Sequence, residues 1–127
     1  MNTEYRTTKF VPTHTSIFSV RYLIFDNVEL YEAPAENVLP GLEVSPDVVI
    51  VDPPRSGLDK GALDALVALH PARIAYVSCD PSTLGRDAAR LISGGYRLIQ
   101  VTPFDLFPQT YSIESISIFE KGNTTLS

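Results

Sequence analysis

Three short segments of the sequence carry side chains that could do chemistry. Asp52-Pro53-Pro54-Arg55-Ser56-Gly57 follows a run of β-branched residues. A carboxylate there can accept hydrogen bonds from a ligand amine or hydroxyl while the prolines hold the loop rigid; capping of the following helix explains Asp52 equally well. Ser78-Cys79-Asp80-Pro81-Ser82-Thr83 places the only cysteine between a strand and a helix. A thiol facing the positive end of a helix is favoured as the nucleophilic thiolate. Asp80 beside it opposes a second negative charge, and a lone cysteine also serves as an inert small hydrophobe. Ile113-Glu114 opens an apolar, serine-rich segment after Phe104-Asp105-Leu106-Phe107-Pro108-Gln109-Thr110. Partial burial would raise the pKa of that carboxylate and suit it to proton abstraction. The competing role is a charge that protects an edge strand from aggregation.

These segments need elements to position them, and the hydrophobic pattern supplies them. Residues 47–51 form a continuous β-branched run, the pattern of a strand buried on both faces, stopped by Pro53 and Pro54. Residues 60–70 place Leu63, Leu66, Val67 and His70 on one helical face, with Asp59 as N-cap and Pro71 as the stop. Residues 73–78 are a second buried strand. Asp80-Pro81 then reads as N-cap and first helical position. Leu84, Ala88, Leu91 and Ile92 line that helix, and Gly94-Gly95 end it. Arg86, Asp87 and Arg90 read as its solvated face. Residues 96–102 and 113–120 are further strands, the last alternating Ser115 and Ser117 with Ile116 and Ile118. Upstream, residues 27–31 read as a strand, 35–39 as one helical turn, and 16–25 as β-prone. Tandem βα units imply an α/β fold with a parallel sheet and right-handed crossovers. Asp52 and Cys79 then share the carboxyl edge, where ligands bind in open α/β sheets.

Composition bounds the rest. A chain of 127 residues with 44% hydrophobic and 20% charged residues is one ordinary globular domain. One cysteine excludes an internal disulfide and any all-cysteine zinc or iron–sulfur site. His14 and His70 have no partners at metal-ligand spacing, so no metal is expected. A net charge of −5 argues against a free-standing nucleic-acid binder. No apolar run reaches the ~20 residues of a membrane span, and the N-terminus lacks a signal-peptide core. The expected location is the cytoplasm, and the Asn123-Thr124-Thr125 sequon is read as chance.

The stretches DVVIVDPPRSGLD, RIAYVSCDPSTLGRD, GYRL and FDLFPQTYSIES, in this order and spacing, resemble the C-terminal catalytic part of the RNA (uracil-5-)-methyltransferase family. The resemblance covers about residues 27–121, leaving residues 1–26 as an irregular or β-prone extension and 122–127 as a tail. It implies a partial Rossmann-like class I sheet using S-adenosylmethionine, mainly parallel with the last strand antiparallel, from the family order 3-2-1-4-5-7-6. By the same resemblance, Cys79 attacks carbon 6 of a uracil in transfer or ribosomal RNA. Glu114 removes the carbon 5 proton, and Asp52 contacts the cofactor. The target base must leave its stack to be reached.

The departures from the family pattern carry expectations of their own. The glycine-rich cofactor loop and acidic ribose-binding strand end that relatives place upstream do not occur here, nor does their basic RNA-binding domain. Pro34 stands where relatives have a polar residue, Ser112 where they have histidine, Asp80 where asparagine is more common and Gly85 where alanine is. The chain therefore reads as the chemistry half of a catalytic domain, with S-adenosylmethionine binding weak or absent in this chain alone. An inactive methyltransferase-fold remnant is the alternative, and an amino-group methyltransferase leaves the Ser-Cys and Phe-Pro-x-Thr segments without a task. Absence of the first strand would expose the edge of the 47–51 strand, to be covered by residues 16–25 or by pairing of two chains, and self-association is expected.

Overall fold

The computed structural model describes residues 31, 33–106, 109 and 113–123. The chain divides between Pro34 and Ala35, and the unit from Ala35 onward holds every assigned helix and strand. The β-prone residues 16–25 and the predicted strand at 27–31 lie outside the described residues, apart from Tyr31. A short helix α1, Ala35–Val38, continues into a 3₁₀ turn, Leu39–Gly41. Strand β1, Val48–Val51, ends at the two prolines, and the chain turns so that the Gly57 N–H donates to the Pro54 carbonyl at 2.8 Å. Helix α2, Lys60–Leu69, is capped by the Asp59 carboxylate accepting from the Gly61 N–H. It closes one residue earlier than the apolar spacing suggests. His70 is the exposed left-handed C-cap, with φ 53°, and is not part of the buried face. Pro71 follows as the stop.

Strand β2, Arg73–Ser78, leads to helix α3, Pro81–Ser93, and then to β3, Tyr96–Phe104, and β4, Glu114–Lys121. The sheet order is β1-β2-β4-β3. β1 pairs parallel to β2, from Val48↔Arg73 to Val51↔Tyr76. β4 runs antiparallel between β2 and β3, from Arg73↔Glu120 to Ser78↔Ser115 on one side. On the other side the register shifts between Leu98 and Gln100. β3 therefore points the same way as β1 and β2, and only β4 is reversed. This is the 4-5-7-6 end of the order that the resemblance implies.

Both crossovers proceed in the same direction across the sheet, so right-handed connections place α2 and α3 on one face. There Leu63 and Leu66 of α2, Ala88 and Leu91 of α3, Ile74, Tyr76, Tyr96 and Phe119 form one buried cluster. Burying each of the larger side chains contributes about 1.5–3 kcal/mol. The Tyr96 hydroxyl is satisfied inside it by donating to the Pro71 carbonyl at 2.8 Å.

One helix layer leaves the other sheet face thinly covered, which corrects two expectations. β1 is not buried on both faces: Val48 is 55% and Ile50 72% exposed. Ile92 likewise faces outward, 50% exposed, because the helix turns it past the stripe formed by Leu84, Ala88 and Leu91. No helix among the described residues is long and apolar enough to cross a membrane.

Candidate active site

The carboxyl edge of the sheet gathers the three singled-out residues. Asp52 is the first residue beyond β1 and is exposed. Cys79 is the first beyond β2 and is half-buried. Glu114 is the first residue of β4, also half-buried. Because β4 runs antiparallel, its start lies where β2 ends. The paired register closes on Ser78↔Ser115; Cys79 directly follows Ser78 and Glu114 directly precedes Ser115. The parallel register, ending on Val51↔Tyr76, brings Asp52 level with Val77, two residues short of Cys79. Glu114 is thus no edge-strand charge, since β4 is paired on both sides.

The Cys79 turn is locked by its neighbours. Ser78, buried at the end of β2, accepts from the Asp80 N–H at 3.1 Å and donates to the Asp80 carbonyl at 2.9 Å. The Asp80 carboxylate accepts from the Ser82 and Thr83 N–H groups at 2.7 and 3.2 Å. The Thr83 and Ser82 amides hold the Asp80 carboxyl below the usual carboxylate range, helped by the nearby positive charge of Arg55. Asp80 therefore directs its charge to the first turn of α3. An open groove of about 820 Å³ runs along that loop, lined by Asp52, Pro53, Pro54, Ser56, Lys60 and Arg86 among others. Cys79 and Glu114 do not line it.

One buried carboxylate escaped the sequence reading. Asp87 is fully buried, not part of a solvated face. Its carboxylate accepts from the Leu58 N–H at 2.8 Å, from the Tyr76 hydroxyl at 2.6 Å and from Arg86 Nε and Nη2 at 2.9 and 2.8 Å. Burial first, and then the Asp87 carboxylate, drive the Tyr76 pKa upward, so its hydroxyl stays a donor. The signal was present in the spacing: Leu84, Asp87, Ala88 and Leu91 fall at i, i+3, i+4 and i+7, one inward stripe.

The match to known proteins covers this same region. The family model for tRNA (uracil-5-)-methyltransferase matches residues 42–122. This chain belongs to that family. An uncharacterized RNA methyltransferase of Caldanaerobacter subterraneus is 53% identical over 78 residues, covering 61% of this chain and 17% of its own length. One from Enterococcus faecalis is 50% identical over 91 residues, covering 69% of this chain and 20% of its own. The crystal structure of Pyrococcus abyssi tRNA (uracil-54, C5)-methyltransferase in complex with S-adenosyl-L-homocysteine superposes with a TM-score of 0.53 at 40% identity, over 57% of this chain and 18% of that one. The α/β sheet is thus the family's methyltransferase fold, and the chain spans about a fifth of the length of the relatives it matches. Within the family pattern, Phe107, Pro108 and Ser112 lie outside the described residues.

Proposed function

We propose that the chain carries the base-modifying chemistry of S-adenosylmethionine-dependent methylation at carbon 5 of a uridine in RNA. The observation that supports this reading is the Ser78↔Ser115 pair where β2 and β4 meet, which Cys79 directly follows and Glu114 directly precedes. Cys79 Sγ adds to carbon 6 of the base, which leaves carbon 5 electron-rich. S-adenosylmethionine, when bound, supplies an electrophilic methyl group. The Glu114 carboxylate accepts the carbon 5 proton, the Sγ–carbon 6 bond breaks, and the ring double bond is restored. Residues 27–121 are the catalytic portion in this reading.

The donor set fits the cofactor at one point. Asp52 is an exposed carboxylate held by two prolines beside an open groove, an acceptor suited to an amine or hydroxyl. A single charge-assisted hydrogen bond contributes about 1.5–3 kcal/mol. The chain by itself is therefore expected to bind S-adenosylmethionine at millimolar concentration or weaker.

The test is covalent capture. The purified chain, incubated with S-adenosylmethionine at about millimolar concentration and transfer or ribosomal RNA containing 5-fluorouridine, should yield a protein–RNA adduct by mass spectrometry. The fluorine blocks proton removal, so the adduct persists. Cys79→Ala should yield none. An adduct that survives Cys79→Ala would remove Cys79 from the chemistry. Absence of any adduct or methylated base with the unaltered chain would favour an inactive remnant.

A further inference from the structure

We propose that Arg86 and Asp87 are the positioning pair of the Asp52 loop. They bind its backbone to α3, whose N-terminus carries the Cys79 turn, and so fix where Asp52 stands relative to Cys79. The functional meaning rests on the reading of Asp52 and Cys79 given above. The structural claim stands on three separate observations.

First, a carboxylate with no exposed surface is strongly unfavourable unless fully hydrogen-bonded. Asp87 has no exposed surface, and its four donors come from the loop (Leu58 N–H), from β2 (Tyr76 hydroxyl) and from Arg86. Second, Arg86 Nη2 also donates to the Ser56 carbonyl at 2.8 Å and, more distantly, to the Leu58 carbonyl at 3.4 Å. Two side chains of one helix thus bind three backbone groups of the loop. Third, Gly57 lies between those groups at φ +79°. A Cβ there would stand 2.5 Å from Arg86 Nη2 and 2.6 Å from Asp87 Oδ2. The loop backbone is pressed so closely onto the pair that only glycine fits.

A core needing stability alone is served as well by an apolar side chain of similar volume as by a buried ion pair. What an apolar residue at 87 cannot do is aim donors and acceptors at a particular loop conformation. α3 then works as a strut, holding the Cys79 turn through the Asp80 cap at its first turn and the Asp52 loop through Arg86 and Asp87 one turn later.

The experiment uses the full 127-residue chain, labelled for amide exchange by NMR. Arg86→Met removes the guanidinium donors and keeps the apolar stem of a side chain that is 54% exposed. Exchange at Gly57 and Leu58 should accelerate by about tenfold or more, the loss of a charge-assisted bond. Amides of β2 and β4 should change by less than about twofold. Arg86→Lys should restore part of the protection. Acceleration of equal size in the strands, or unfolding of the chain, would make the pair a general stabiliser and overturn the proposal. So would unchanged loop exchange. Gly57→Ala probes the same contact from the loop side and should release the same amides; no effect there also counts against it. Titration with S-adenosyl-L-homocysteine separates this idea from the functional reading. If the unaltered chain shows no shifts at residues 52–56 while Arg86→Met still frees the loop selectively, the positioning pair stands and Asp52 falls as a cofactor contact.

Discussion

In the proposed reaction Glu114 acts late, as the base. It begins the one strand that runs against the others, directly before the Ser78↔Ser115 pair that ends the β2 ladder, and is half-buried. A carboxylate in that position accepts a proton from a base already bonded to Cys79, so its loss should stop the sequence after methyl transfer. Glu114→Gln, given RNA and S-adenosylmethionine, is expected to accumulate a covalent protein–RNA species carrying the added methyl group, detected by mass spectrometry. Normal turnover by that variant would reduce Glu114 to a structural charge. The three candidate residues stood out in the sequence because each interrupts a strongly patterned segment: a carboxylate ending a β-branched run, the sole thiol before an N-cap, a carboxylate opening an apolar strand. Asp87 was not, because its neighbours Arg86 and Arg90 made the stretch look like a solvated face. Reading it by sign hid the fact that its spacing puts it in line with Leu84, Ala88 and Leu91, where a buried carboxylate must find partners distant in sequence.

The elements were legible to within a residue or two wherever caps and prolines mark them, and α3 shows what such a cap contributes. Asp80 holds the first turn through the Ser82 and Thr83 amides, and these bonds keep its carboxyl below the ordinary range. The unfolded chain therefore takes up that proton at a higher pH than the folded one. Stability is present above the ordinary carboxylate pKa and is lost as pH falls through the folded value. Asparagine caps as well as aspartate and does not titrate. Asp80→Asn should thus lose less stability than the unaltered chain between about pH 5 and about pH 3, measured by denaturant midpoints. Identical slopes would show that the Asp80 bonds are not coupled to folding. What the local pattern did not reveal was which side of β4 faces inward. Alternating serine and isoleucine fits either phase of a strand, and the phase is set by Phe119, which is fully buried. With a period of two, burying Phe119 turns Ser117 and Ser115 inward and Ile116 and Ile118 toward the barer face. The Ser117 hydroxyl is left buried without a hydrogen-bond partner as a consequence.

At the scale of the whole molecule, the decisive feature is a four-stranded sheet with helices α2 and α3 on one side and, among the described residues, β1 at its edge. Among the described residues β1 has only β2 as a neighbour, and Val48 and Ile50 are its most exposed apolar side chains, at 55% and 72%. Natural sheets protect such an edge with charge, proline or a bulge. The four residues Val48–Val51 carry none of these, and Pro53 blocks pairing only beyond them. The outer amides and carbonyls of β1, which pair with no strand among the described residues, offer a template for another strand, and a second copy supplies an equally apolar one. Two copies joined edge to edge about a twofold axis would pair β1 antiparallel to β1 and bring both Ile50 side chains under cover. The purified chain is therefore expected to self-associate, with a sedimentation-average mass that rises with concentration. Ile50→Lys puts a charge at the centre of the exposed edge, while the residue it replaces contributes little to the core, so the variant should stay folded and sediment as a monomer. A concentration-independent monomer for the unaltered chain would show that the β1 edge is already protected. An Ile50→Lys variant that associates as strongly as its parent would place the contact elsewhere on the surface.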